Sequence, residues 1–196
     1  MRLGSDGWVR GVRKVASPNC DRRPPGIAIE LLVIHNISLP PGEFGGDAIE
    51  HLFTNTLQVE AHPCYAQLRG LKVSAHFLLR RDGEIIQFVS CHKRAWHAGV
   101  SSWQGRSRCN DFSIGVELEG SDEALFDDRQ YAALARLTRV LRRGYPIRGV
   151  AGHSDIAPGR KTDPGPCFDW ARYYSSLGDF HPLKAMGKKL GEIPLA

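Results

Sequence analysis

Residues 151–166, AGHSDIAPGRKTDPGP, set His153, Lys161 and Asp163 among glycines and prolines. An imidazole and a carboxylate on one rigid loop can both reach a single metal ion. Lys161 stands two residues before Asp163. In extended backbone it points the same way as the carboxylate, because side chains alternate with a period of two. The loop therefore offers two ligands and a cation. A tetrahedral catalytic zinc takes three protein ligands and keeps an open position for water, so one ligand must come from elsewhere. His35 is the best-placed candidate, since it follows the apolar run Leu31-Leu32-Val33-Ile34 and sits at the end of a buried strand. Two imidazoles and a carboxylate suit zinc without any thiolate. Such an ion activates water near neutral pH and polarises a carbonyl. Amide hydrolysis further requires a group that moves protons and one that stabilises the oxyanion. Lys161 can supply the second. Glu117 or Glu119 can supply the first, since both project from one face of SIGVELE (113–119), opposite Val116 and Leu118. The ordinary alternative for that pair is a solvent-facing strand face.

The elements that must position these groups read as follows. Residues 27–37, IAIELLVIHNI, are rich in branched apolar residues and predict a central strand. SLPPGEFGG (38–46) is a loop. Asp47 with Glu50 forms a capping-box pattern for a short helix over 47–56. Residues 75–90 read as a hairpin, with Asp82-Gly83 as the pair a type I′ turn favours. SIGVELE predicts another strand. The clearest helix is 128–143, with Asp127 and Gln130 as its N-terminal box and Gly144 as a left-handed C-cap. Tyr131, Leu134, Leu137 or Thr138, and Leu141 give it one apolar face. Arg136, Arg139, Arg142 and Arg143 form a solvated face near its C-terminal dipole. IRGVAGH (147–153) reads as a strand entering the metal-binding loop, and 169–178 as a last short helix. This order predicts a single α/β domain (α+β in some schemes) with a mixed central sheet packed by helices. His35 and His153 both fall at C-terminal strand ends, the edge where sites gather in such sheets.

Composition narrows the function classes. The chain has 196 residues, enough for one domain with a real core. Net charge is +5, but residues 1–26 hold six Lys/Arg against Asp6 and Asp21, so the basic excess is largely a property of that arm. No aromatic–basic interleaving accompanies it, so a basic arm packed on the domain is expected rather than a nucleic-acid partner. No apolar stretch is long enough to span a membrane, and the charged, glycine-broken N-terminus does not read as a secretory signal. Five scattered cysteines without a CxxC pair fit reduced thiols. A cytoplasmic location is the expectation.

Six segments together carry a specific resemblance. They are SPNCDRRP (17–24), LLVIHNISLPPGEFGG (31–46), SAHFLLRRDGEIIQFV (74–89), RAWHAG (94–99), CNDFSIGVELEG (109–120) and AGHSDIAPGRKTDPGPCFDW (151–170). On these the chain resembles the AmpD family of zinc-dependent N-acetylmuramoyl-L-alanine amidases. Those enzymes cut 1,6-anhydro-N-acetylmuramic acid from its stem peptide during cytoplasmic cell-wall recycling. The resemblance implies one zinc per chain on His35, His153 and Asp163, with Glu117 rather than Glu119 as proton shuttle and Lys161 stabilising the transition state. It implies the fold shared with peptidoglycan recognition proteins and phage amidases. The phage enzymes place a cysteine where this chain has Asp163; Cys167 is then left as a buried thiol. It also points to Asn36, Trp96 and Arg108 as substrate contacts. Their ordinary alternatives are a turn asparagine, a core tryptophan and a surface arginine. His76, on the 75–80 strand, and His97, in the WHAG turn, read as structural, with lining the cleft as the alternative. The resemblance implies a catalytic domain over 27–179 between the arm (1–26) and a tail (180–196), a small muropeptide as partner, and no obligate protein partner. Two other functions fit the same fold. A non-catalytic recognition module tends to lack part of the triad, whereas all three positions are filled here. A secreted wall-lytic amidase is disfavoured by the N-terminus and the cysteines.

Overall fold

A computed structural model describes residues 1–180, 182 and 183. Six strands form the central sheet: β1 (Arg13–Lys14), β2 (Leu31–Ile37), β3 (Phe77–Leu79), β4 (Ile85–Gln87), β5 (Ser113–Glu119) and β6 (Gly149–Gly152). Their spatial order is β6-β2-β5-β3-β4-β1. Only β3 and β4 are antiparallel; every other neighbouring pair runs parallel. The sheet is therefore mixed, as the alternation of elements predicts. Four helices accompany it: α1 (Ala48–Thr54), α2 (Asp128–Gly144), the single turn α3 (His153–Ile156) and α4 (Trp170–Ser175).

Strand alternation divides the core. Leu32, Ile34, Ile114, Val116, Leu118 and Val150 point to the face covered by α2, where Tyr131, Leu134, Leu137 and Leu141 pack against them. Leu31, Val33 and Ala151 point to the other face, under Ala98, Trp103, Cys109, Phe112 and Ile156. Farther along that second face, Leu78, Ile86 and Phe88 receive Ile49, Leu52 and Phe53 of α1. Each large apolar side chain so buried stabilises the fold by about 1.5–3 kcal/mol. With both faces covered, Glu117 and Glu119 are buried rather than solvent-facing.

Several local expectations change in the folded chain. The strand expected from residue 27 begins its ladder at Leu31, although Ile29 is already buried. Asp47 makes no side-chain cap to α1, because its own backbone is already helical (φ −92°, ψ 0°) rather than extended, and Glu50 pairs with Arg13 and Arg80. In the hairpin turn only Gly83 has positive φ (84°), not Asp82 as a type I′ turn requires; Gly83 N–H closes on the Arg80 carbonyl. Asp127 and Gln130 do form the capping box of α2. Gly144 is its last helical residue, and the C-cap is an extended Tyr145. A Cβ there would press on Leu3 Cδ2, the tip of a flexible side chain. Cys167, expected as a buried thiol, is only half-buried.

The N-terminal segment is woven into the sheet. β1 extends its far edge, and Cys20–Arg22 pairs with Lys93–Ala95. Arg23 donates to the carbonyls of Cys91, Asn110, Asp111 and Ser113. The tail expected over 180–196 lies almost entirely outside the described residues; Leu183 bridges Gly149 beside β6.

Candidate metal centre

The sheet register builds the site. Glu117 of β5 stands directly opposite His35 of β2, and Gly152, the last residue of β6, stands opposite Ile34. Glu117, His35 and His153 therefore form one row across the C-terminal ends of three adjacent parallel strands. His153 is not the last strand residue but the first of α3, one position beyond the ladder. The loop then returns Asp163 to this row, tied by the Ser154 N–H to the Asp163 carbonyl at 2.9 Å. Gly152 leaves room for the return, since a Cβ there would meet Pro164 Cδ at 2.8 Å.

Three donor atoms converge. His35 Nδ1 lies 3.1 Å from His153 Nδ1 and 2.8 Å from Asp163 Oδ2, and His153 Nδ1 lies 3.1 Å from Asp163 Oδ2. Among the described residues this is the one cluster of three or more His, Cys, Asp or Glu suited to hold an ion. Tetrahedral zinc with bonds of about 2.0–2.1 Å separates its donors by about 3.3 Å, so the triangle is close to the size needed. The chemistry fits as well. His153 Nε2 faces the Ala98 carbonyl at 3.1 Å, which can only accept, so Nε2 carries the proton and Nδ1 presents its lone pair inward. A carboxylate is the natural third ligand beside two neutral imidazoles.

Burial alone would raise the Asp163 carboxyl, but the His153 and His35 ring nitrogens that face it outweigh burial and hold it well below the usual carboxylate range. Burial lowers His35, with Asp163 opposing. Glu117 is pushed well above the ordinary carboxylate value, first by burial and then by the negative charge of Asp163, while Lys161 opposes. Its Oε2 is buried and has no hydrogen-bond partner among the described residues. An unpartnered buried carboxyl oxygen with a raised pKa suits proton transfer. Lys161 is exposed, and its ammonium is near enough to act on both Glu117 and His35.

Glu119 shares the strand face of Glu117 but not its surroundings. It accepts from Arg80, from the Gly45 N–H and from the Arg81 N–H, and is spent on holding the 38–46 loop and the hairpin. The candidate substrate contacts lie outside the triad. Asn36 alternates away from His35 and donates to Asp122 at 2.7 Å. Trp96 is half-buried, and its backbone N–H reaches Ser74 Oγ. Arg108 adopts the left-handed region at φ 63° and pairs through Nε with Asp111 at 3.0 Å. His97, read from the sequence as structural, has its Nδ1 3.0 Å from His35 Nε2. A usable signal for it was Gly115, a glycine inside a buried strand, which often marks a close approach.

Residues 25–166 match the protein family described as N-acetylmuramoyl-L-alanine amidase. The chain is 60% identical over 173 residues to the 1,6-anhydro-N-acetylmuramyl-L-alanine amidase AmpD of Escherichia coli (strain K12), covering 87% of this chain and 94% of that one. A crystal structure of a selenomethionine AmpD derivative superposes with a TM-score of 0.88 at 57% identity, over 90% of this chain and 99% of that one. The amidase AmiD from E. coli, in complex with the substrate anhydro-N-acetylmuramic acid-L-Ala-D-gamma-Glu-L-Lys, superposes with a TM-score of 0.56 at 31% identity, over 79% of this chain and 60% of that one.

Proposed function

The chain belongs to the N-acetylmuramoyl-L-alanine amidase family, and on that premise we propose that it hydrolyses the amide bond between 1,6-anhydro-N-acetylmuramic acid and the L-alanine of the stem peptide, as a zinc enzyme of cytoplasmic peptidoglycan recycling. The observation that carries this reading is the convergence of His35, His153 and Asp163 beside a buried, unpartnered Glu117. His35 and His153 through Nδ1, with Asp163 through Oδ2, would hold one zinc ion. Bound there, it supplies Lewis acidity towards the scissile carbonyl and the attacking water.

The remaining steps belong to the chain. As water adds to the carbonyl carbon, Glu117 takes a proton from it. When the C–N bond breaks, Glu117 passes that proton to the departing alanine nitrogen, which leaves as an amine while the sugar retains the carboxylate. The raised pKa of Glu117 matches both halves of this transfer, because an ordinary carboxylate is a poor acid towards an amine. Lys161 places positive charge where the oxyanion develops. Asn36, Trp96 and Arg108 bind the muropeptide: an amide for the peptide backbone, an indole for a sugar face, and a guanidinium for a stem-peptide carboxylate. Among the described residues, no helix is long and apolar enough to cross a membrane, and all five cysteines are free thiols.

Product analysis by mass spectrometry on anhydro-muropeptide tests this reading. The holoprotein is expected to release free peptide and anhydro-N-acetylmuramic acid. Glu117→Gln should lower turnover by roughly 10²–10⁴-fold with zinc content and muropeptide affinity retained. Binding without peptide release by the zinc-loaded wild type would make the protein a recognition module instead.

A further inference from the structure

The dipeptide His97–Ala98 touches both candidate imidazole ligands. Ala98 settles the tautomer of His153 through its carbonyl. His97 faces His35 edge-on, with ring centroids 5.1 Å apart and planes at 85°. Its Nδ1 lies 3.0 Å from His35 Nε2, and its Nε2 lies 3.2 Å from Ser113 Oγ. These three groups form one hydrogen-bonded chain, and its direction decides which nitrogen of His35 has a free lone pair.

Two proton arrangements satisfy the chain. In one, Ser113 O–H donates to His97 Nε2, His97 Nδ1–H donates to His35 Nε2, and His35 carries its own proton on Nδ1. In the other, His35 Nε2–H donates to His97 Nδ1, and His97 Nε2–H donates to Ser113 Oγ. The number of protons is the same in both, and no group changes charge. A hydroxyl can terminate either arrangement because it both donates and accepts. Only the second leaves the Nδ1 lone pair of His35 pointing at the point shared with His153 Nδ1 and Asp163 Oδ2.

The ring has little freedom to do otherwise. The N–H groups of His97 and Ala98 both reach Asn110 Oδ1, at 3.3 and 2.8 Å. A Cβ on Gly115 would stand 2.5 Å from the His97 ring, so the absence of a side chain there opens the slot the imidazole fills. Ser113 and Gly115 lie on β5, four and two residues before Glu117 respectively and on the same strand face. One strand thus carries the terminus of the chain, the slot for its middle member and the candidate proton shuttle.

We propose that His97 is the positioning residue of the metal site: backed by Ser113, it holds His35 as the Nε2–H tautomer and fixes its ring so that Nδ1 addresses the ion. The proposal rests on His35, His153 and Asp163 being the ligands. Outer partners of this kind typically account for about 10–100-fold in metal affinity.

The test uses the full chain, stripped of metal and titrated with zinc against a competing chelator. His97→Phe keeps a ring in the slot but offers no acceptor, and should weaken zinc binding by roughly 10–100-fold. His97→Asn places an amide oxygen where Nδ1 sits and should recover most of that loss. A merely space-filling His97 would give the opposite ranking. Long-range ¹H–¹⁵N spectra of the zinc-loaded wild type should show both His35 and His97 protonated on Nε2, a readout that needs no variant to fold. A His97 protonated on Nδ1 in the zinc-loaded protein, or wild-type zinc affinity in folded His97→Phe, overturns the proposal alone. A wild type that takes up no stoichiometric zinc overturns the ligand reading and this proposal with it.

Discussion

Glu117 and Glu119 show how one register position separates two identical side chains. Both lie on the same face of β5, so alternation alone could not choose between them. Glu117 falls opposite His35, whereas Glu119 runs past the triad into Arg80 and the backbone of the 38–46 loop. The histidines and Asp163 were legible because strand ends and a Gly/Pro-rich loop announce where side chains converge. His97 was not, since its link to His35 crosses from one loop to a strand that no local pattern joins to it. Arg108 is the residue whose role can be tested most simply. Asp111 holds its Nε, and the side chain is 69% exposed. A planar guanidinium can still grip a carboxylate by two parallel bonds, which lysine cannot reproduce. Arg108→Lys is expected to lower kcat/KM on muropeptide mainly through KM, with zinc content unchanged. Steady-state kinetics alongside metal analysis decide it, and an unaltered kcat/KM returns Arg108 to an ordinary surface role.

At the scale of elements, a charged ladder runs across four separate pieces of the chain. Arg13 of β1 meets Glu50 of α1, Glu50 meets Arg80 of the hairpin, and Arg80 meets Glu119 of β5. Arg80 also donates to the Gly46 carbonyl, so the ladder reaches the 38–46 loop. Glu119 and Arg80 are nearly or fully buried, with side-chain exposures of 2% and 9%. Removing one member of such a pair leaves the other uncompensated, which typically costs about 3–5 kcal/mol. Glu119→Ala should therefore lower stability in denaturant titrations by that order while zinc binding survives in the folded fraction. Stability within experimental error of wild type would show that the ladder adds no net stability. This ladder also explains a misread pattern. Asp47 and Glu50 have the spacing of a capping box, but Glu50 gains more from two guanidinium groups than from a backbone N–H. The box at Asp127 and Gln130 was legible because no competing cation meets Gln130, whose amide instead donates to the carbonyls of Leu79 and Glu119.

Over the whole molecule, packing dense enough to order the site also buries histidines that must stay neutral. Burial, reinforced by nearby Arg23, lowers His76 from its ordinary 6.5 to about 3. Between those values the unfolded chain binds the extra proton and the folded chain does not. His76 thus costs nothing above about pH 6.5, and stability falls as pH drops from there towards 3, by at most about 1.4 kcal/mol per pH unit. His76→Gln should show a shallower fall of Tm between about pH 6 and 4; an unchanged slope would assign the acid sensitivity to other groups. The overall architecture was legible from the order of elements, because a mixed sheet with both faces covered follows from buried strands separated by amphipathic helices. The exact ladders were not, since β1 is two residues long, too short to show a pattern of its own, and joins the edge beside β4. The central claim is that a zinc ion on His35, His153 and Asp163 drives amide hydrolysis. It is tested most directly by measuring zinc content and peptide release from anhydro-muropeptide on the same preparations of wild type and His153→Ala. About one zinc per chain with peptide release in the wild type, and loss of both together in the variant, is the expected result. Stoichiometric zinc retained by His153→Ala, or full peptide release after its zinc is gone, would contradict it.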